Sequence, residues 1–234
     1  MSIFTKRFVV GFAGKNRSGK STAVDYFEKR HSAYVAGFGY PLRAIAAAAL
    51  SGETMGKVRL VAARELFLPT DRDALDRLEK VLRSVLDRDL SGIDTDNRML
   101  LQELSTALRS PSGFGEEVLA RAIYEKIRLN KPGLYAVDSV RREADISYLR
   151  HFQHFHLCYI HAGVRVRRRR DQDAARGSGD AEKTLAQFLR EDRQESERQI
   201  KALRALADSE IHNHAGVTKE AFFAKLDALR EHMS

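Results

Sequence analysis

The stretch FVVGFAGKNRSGKSTAVDYF, residues 8–27, decides how the chain is read. Its first six residues are an apolar run without clean alternation, the pattern of a strand covered on both faces. Residues 14–22, GKNRSGKST, follow at once and satisfy G-x-x-x-x-G-K-[ST] through Gly14, Gly19, Lys20 and Ser21. From Ser21 to Arg30 a helical pattern places Ala23, Val24 and Phe27 on one face. Strand, glycine-rich loop and helix in that order make a phosphate cradle. The glycines permit a tight loop whose backbone N–H groups point inward, and the helix aims its positive end at the same charge. Lys20 is placed to reach β- and γ-phosphates and the Ser21 hydroxyl to ligate magnesium, with Asn16, Ser18 and Thr22 completing the loop's contacts. Lys15 and Arg17 fit either phosphate contacts or solvated loop charges.

Outward from this motif the chain alternates. Four more apolar runs read as strands: 33–38, 134–138, 156–162 and the weaker 210–213. Helical periodicity lies between them, at 71–87, around Leu185–Leu203, and at Phe222–Leu229 with Thr218 as an N-cap. Strands alternating with helices predict parallel crossovers and an α/β, three-layer fold with a five-stranded parallel sheet. About a hundred helical residues separate the second strand from the third, too many for one crossover. The expected organisation is a single domain over residues 1–234. Its core covers about 1–40 and 129–234, and a helical insertion covers about 41–128. SGET (51–54), LPTD (68–71) and SGIDTDN (91–97) read as turns within the insertion, and the polar stretch 171–183 reads as an exposed loop.

Composition bounds the function. The 40 basic and 32 acidic residues leave a net charge of +8, which fits phosphate-rich partners without separating nucleotides from nucleic acid. Cys158 is the sole cysteine, so an internal disulfide or a cysteine-based zinc cluster is excluded. No apolar run approaches the roughly 20 residues that span a bilayer. The opening MSIFTKRFVVGF lacks the long apolar stretch of a signal peptide, so a soluble, cytoplasmic protein without a membrane partner is expected.

A switch GTPase would carry DxxG and NKxD motifs, and neither is present. A kinase acting on a phosphorylated small molecule needs cations that bridge two repelling phosphates, a carboxylate at a strand end, and a lid that excludes water. Asp138 ends the third strand and suits magnesium or acceptor orientation, or else an N-cap. Arg141 follows at the next helix start. Arg43, the last residue of FGYPLR (38–43), lies at the same sheet edge. Gln102 and Arg109, seven residues apart, share a helical face in the insertion. After the fourth strand, GVRVRRRRDQDAARG (163–177) is the lid, at about 165–182, with Arg167, Arg170 and Arg176 to close on the transferred group. Arg168 and Arg169 lie on other faces and read as solvated. The rival reading of this segment is a polybasic nucleic-acid site. His154, His156 and His161 are assigned to strand and loop surface rather than to a metal.

Taken together, GFAGKNRSGKSTAVDYF, FGYPLR, LLQELSTALR with GEEVLARA, VDSVRREADISYLR, the arginine helix, FLREDRQES (188–196) and ADSEIHNHAG (207–216) resemble the P-loop nucleoside monophosphate kinase superfamily. The likeness extends to phage-type deoxynucleoside monophosphate kinases, to dephospho-coenzyme A kinase-like proteins, and to the kinase-like domain that precedes some deoxycytidylate deaminases. The resemblance implies the P-loop NTPase fold with an acceptor-binding insertion and an arginine-rich lid. It also implies ATP with Mg²⁺, and phosphoryl transfer to a nucleoside monophosphate or similar acceptor, a deoxynucleotide in the first instance. By the same likeness Asn213 lies near the donor base. Two positions depart from it: Ser139 where relatives have D-G-x-R, and His161 where they have D-A-P. Residues 51–97 match no relative. The alternatives are a nucleotide-sensing module of little activity and a nucleic-acid-binding P-loop ATPase. A homodimer is left open.

Overall fold

The computed structural model describes residues 6–95, 97–178, 183–192 and 195–233. Asp96 of the SGIDTDN turn, residues 179–182 of the expected lid and residues 193–194 of FLREDRQES lie outside them. The chain divides into two compact units. One joins the residues up to Ala36 with those from Pro132 onward, and the other is Gly37–Lys131.

The first unit is built on the sheet. Its strands are β1 (Arg7–Ala13), β2 (Tyr34–Gly37), β3 (Gly133–Val140), β4 (His154–His161) and β5 (Ser209–His212), in the order β2-β3-β1-β4-β5. The sheet is parallel throughout. Each strand rests on one of the five apolar runs, because parallel strands buried on both faces need apolar side chains in both directions. On one face Val10, Phe12, Ala136, Cys158, Ile160 and Ile211 form a core with Phe27 of α1 (Lys20–His31) and Phe222 and Leu226 of α11 (Lys219–His232). Burying these side chains is the main stabilising term, at about 1.5–3 kcal/mol for each large one. The Asp227 carboxylate ties the two helices together, accepting from Tyr26 Oη at 2.9 Å and pairing with His31 Nε2 at 2.9 Å. Thr218 caps α11, its side chain accepting from the Ala221 N–H at 3.2 Å. Against the other face packs α10 (Glu195–Leu206), which touches β1 and β4 and buries Ile200 and Leu203.

Two short helices complete this unit, α7 (Glu143–Leu149) and α9 (Leu185–Glu191), with the longer α8 (Val164–Ser178) between them in the chain. α8 corrects the reading of 171–183 as an exposed loop, since helix continues to Ser178 and Asp171 is buried. Connections from β1 and β3 leave in opposite directions across the sheet. The boundary between β1 and β3 is therefore the switch point of the sheet, and ligands bind at the carboxyl ends of the strands there in folds of this kind.

The second unit is helical: α2 (Gly39–Leu50), α3 (Met55–Glu65), α4 (Arg72–Leu86), α5 (Arg98–Arg109) and α6 (Val118–Leu129). α3 packs on α2 and α4, and α5 packs on α2, α4 and α6. Of the Leu75, Leu78, Leu82 and Val85 stripe of α4, the last three are buried with Val81 between them and Leu75 is half-buried. Caps fix the helix starts: Asp71 accepts from the Ala74 N–H and Asn97 from the Leu100 N–H, each at 3.0 Å. No helix among the described residues is long and apolar enough to cross a membrane.

Candidate phosphate-binding site

The loop after β1 takes its path from two glycines. Gly14 has φ +142° and Gly19 φ +113°, values that residues with a side chain rarely adopt. A Cβ on Gly14 would lie 2.4 Å from the Ile160 carbonyl oxygen. One on Gly19 would lie 2.5 Å from Asn213 Nδ2. Gly19 is also the N-cap of α1 and offers no capping side chain, and no acidic residue occupies the helix's first turn. The positive end of α1 thus carries neither a side-chain cap nor an acidic residue of its own, as an anion site at a helix start requires.

Lys20 is 6% exposed, and its Nζ donates to the Gly14 and Lys15 carbonyls at 2.7 and 2.9 Å. The ammonium is held inside the loop it belongs to. Ser18 is fully buried, and its Oγ has no hydrogen-bond partner among the described residues. An unsatisfied buried hydroxyl costs about 1–3 kcal/mol, so a loop that retains one is suited to a ligand that satisfies it. Ser21 and Thr22 are exposed at the helix start.

The face of α8 that carries Arg167, Arg170 and Asp171 is turned to this loop. These residues stand at i, i+3 and i+4 and so share one face. Arg170 Nη1 donates to the Arg17 and Ser18 carbonyls, both at 3.2 Å. The buried Asp171 accepts from Arg17 Nε at 3.0 Å. Arg167, 3% exposed, donates from Nε to the Ala162 carbonyl at 3.1 Å and stacks over the Phe188 ring at 5.7 Å. Its guanidinium also grips Asp192, Nη1 to Oδ1 at 2.5 Å and Nη2 to Oδ2 at 3.2 Å. The same carboxylate pairs with Lys15 Nζ at 2.8 Å. Burial pushes the Asp192 carboxyl upward, but the hydrogen bonds and charges of Arg167 and Lys15 outweigh it and hold the group below its ordinary range. Burial lowers the Arg170 guanidinium. Arg176 is exposed beside Asp173, at 3.8 Å, Arg169 is exposed and Arg168 half-buried.

Asn213, 5% exposed, closes the loop from the other side. Its Nδ2 donates to the Ser18 carbonyl at 2.8 Å, and its Oδ1 accepts from Arg170 Nη2 at 2.9 Å. The side chain assigned to the donor base therefore braces the loop against α8.

Asp138 lies next to the loop by strand register. Gly11 pairs with Val137 and Ala13 with Val140, so two residues of β3, Asp138 and Ser139, oppose the single Phe12. This bulge puts Ser139 at φ +63°, and its Oγ donates to Asp138 Oδ1 at 2.9 Å. Two boundaries are corrected: β3 continues past Asp138 to Val140, and α7 starts at Glu143 rather than at Arg141. The N-cap of α7 is Arg142, not Asp138. The buried Asp145 receives the Arg141 and Arg142 N–H groups at 3.2 and 3.1 Å and so fixes the chain that presents the half-buried Arg141 side chain.

Three candidates belong to the helical unit. Arg43 is exposed on α2, with its guanidinium folded back over Gly39. Gln102 is half-buried on α5. Arg109, 4% exposed, donates to the Glu116 carbonyl and lies over the Phe38 ring at 5.9 Å, which anchors the loop that follows α5.

The histidines are not simply surface residues. His154 stacks on Phe8 with centroids 4.8 Å apart, and His156 Nε2 meets Ser209 Oγ at 2.8 Å. His161 neighbours His212 and His214, with centroids 5.7 and 5.3 Å apart, and burial together with the Arg204 charge depresses its basicity. Among the described residues no cluster of three potential ligands has metal-binding geometry.

Of the residues that the sequence singled out, the loop, Asp138, Arg141, Arg167, Arg170, Arg176 and Asn213 belong to the sheet unit, and Arg43, Gln102 and Arg109 to the helical unit. Sequence reasoning missed Asp171 and Asp192. Asp171 carried a usable signal in its i+4 spacing from Arg167. Asp192 lies 177 residues from Lys15, and nothing in its local sequence announces that partner.

No protein-family model matches the chain, and no curated protein matches it in sequence. Solved structures do. TT1252 from Thermus thermophilus aligns over 98% of this chain and 100% of its own, with TM-score 0.55 and 15% identity. Shikimate kinase from Bacteroides thetaiotaomicron aligns over 97% of this chain and 98% of its own, with TM-score 0.51 and 8% identity. At such identities the likeness is one of fold alone, an α/β fold on a five-stranded parallel sheet.

Proposed function

We propose that the protein transfers a phosphoryl group from ATP to a small phosphorylated acceptor, a nucleoside monophosphate and first of all a deoxynucleotide. The observation that carries this reading is the loop itself. Gly14 and Gly19 leave no room for side chains, the start of α1 is uncapped, and the buried Ser18 hydroxyl awaits a partner. Those features fit an oligophosphate. A basic turn would need none of them.

Lys20 is the residue to hold the β- and γ-phosphates, exchanging two carbonyl partners for phosphate oxygens. Ser21 and Asp138 are the residues to hold magnesium, which when bound neutralises charge on the transferring group. Arg167 and Arg170 stand over the loop and stabilise negative charge there, while α8 keeps water from it. Arg141 is the sheet unit's candidate for the acceptor's phosphate, and Arg43, Gln102 and Arg109 are those of the helical unit. An acceptor that already carries a phosphate oxygen as nucleophile needs no strong general base, so the neutral His161 in place of an acid is compatible with transfer.

Purified protein with Mg-ATP, offered each deoxynucleoside and ribonucleoside monophosphate and dephospho-coenzyme A in turn, tests the reading. Acceptor-dependent ADP release supports it. ATP binding without turnover on any acceptor would replace it with a nucleotide sensor. Steeply salt-dependent oligonucleotide binding, lost when residues 167–170 are neutralised, would replace it with a nucleic-acid binder.

A further inference from the structure

A cavity of about 610 Å³ opens beside the P-loop, between the end of β4, the first turn of α8 and the last turns of α10. It lies wholly within the sheet unit. Four cations line it, Lys15, Arg167, Lys201 and Arg204, the last two at i and i+3 on α10. Among the described residues Glu210 is the one carboxylate in the lining, and Arg204 engages it through Nε and Nη2, each at 2.8 Å. Counting Asp192 as well, which holds Lys15 and Arg167, four cations face two carboxylates. The surplus among the described residues is thus two positive charges, matching an organic dianion. The floor and walls are less polar, with Tyr159, Val164 and Ala205. Apolar walls around charges of one sign focus the field into the cavity and raise the local concentration of an anion.

We propose that this cavity binds a small organic phosphate monoester, separately from the nucleotide in the P-loop. The phosphate engages the cations and the organic body lies along Tyr159 and Ala205. The volume falls within the ~300–1,000 Å³ range of sites for such molecules. The burial-depressed His161 at the rim stays neutral near pH 7 and adds no charge of its own. Because Lys15 and Arg167 also hold Asp192, a bound phosphate competes with that carboxylate and loosens α9 from the P-loop. The inference concerns the cavity and stands whether or not the protein proves to be a kinase.

Phenyl phosphate is the probe, titrated calorimetrically against the full chain and three variants. Lys201 and Ala205 are exposed, so Lys201→Glu and Ala205→Trp reverse a charge and fill the space without touching the core. Lys20→Ala disables the P-loop. The expected result is binding of wild type with Kd below about 1 mM, a Kd raised about tenfold or more in Lys201→Glu and Ala205→Trp, and a Kd changed less than about threefold in Lys20→Ala. Thermal midpoints equal to wild type show that the two cavity variants are folded. Absence of binding to wild type, loss of binding in Lys20→Ala, or unchanged affinity in both cavity variants would each overturn the proposal.

Discussion

Arg167 and Asp192 meet through two hydrogen bonds, of 2.5 and 3.2 Å, with both side chains largely withdrawn from solvent. Because the same carboxylate holds Lys15, one acidic side chain joins the arginine helix to the phosphate loop. Asp192→Asn removes the charge while keeping one acceptor. It should cost about 2 kcal/mol, lowering the thermal midpoint by roughly 4–8 °C. The pH dependence follows from the lowered pKa. The stabilisation from Asp192 is fully present above the ordinary carboxylate value of about 4 and is lost as pH falls through the lower folded value. Wild type should therefore lose more stability than Asp192→Asn over that acidic window, as read by urea unfolding at each pH.

Gly14→Ala tests the crowding of the loop. Its Cβ would meet the Ile160 carbonyl at 2.4 Å, whereas a Cβ on Gly216, also at positive φ, would meet nothing within 4 Å. Both changes strain the backbone, but only the first also clashes. Gly14→Ala should therefore cost about 2 kcal/mol more than Gly216→Ala in chemical denaturation. Equal costs would mean that the loop can shift away from β4.

Cys158 is fully buried in the sheet core, and burial pushes its thiol up to about 12. Only the thiolate reacts with alkylating agents. The native protein at pH 8 should resist iodoacetamide, and the same protein in denaturant should take up one label, as measured by intact mass. Rapid labelling of the native state would show that the β4 region opens readily.

The strands and the main helical stretches were legible because they obey hydrophobic patterning. FVVGFA, LYAVD and HLCYIHA must be apolar on both sides, and the Leu78–Val85 stripe must face a core. α8 was half-missed because its buried face is polar. Arg167 and Arg170 are held by carbonyl and carboxylate oxygens and Asp171 by the Arg17 guanidinium, so a hydrophobicity pattern had nothing to register. The Asp192 contact was illegible for a further reason, since an ion pair between distant segments leaves no periodicity in either. The bulge at Asp138–Ser139 is likewise a property of the β1–β3 register, visible only once two strands are paired.

Asn213→Asp separates bracing from base recognition. The amide donates to the Ser18 carbonyl at 2.8 Å, and a carboxylate oxygen there would face that carbonyl as a second acceptor. The variant should be destabilised by about 2 kcal/mol without any nucleotide present. If its unfolding free energy equals that of wild type and only ATP affinity falls, Asn213 serves the donor and not the loop.

The central claim rests on Lys20, whose ammonium lies between the Gly14 and Lys15 carbonyls. The most direct test is the rate of acceptor-dependent ADP release from Mg-ATP by wild type and by Lys20→Ala. With the best acceptor from the monophosphate panel, the account predicts turnover by wild type and a rate lower by roughly 10²–10³-fold in the variant. Turnover that survives unchanged in Lys20→Ala, or wild type that binds ATP and transfers to no acceptor, would contradict it.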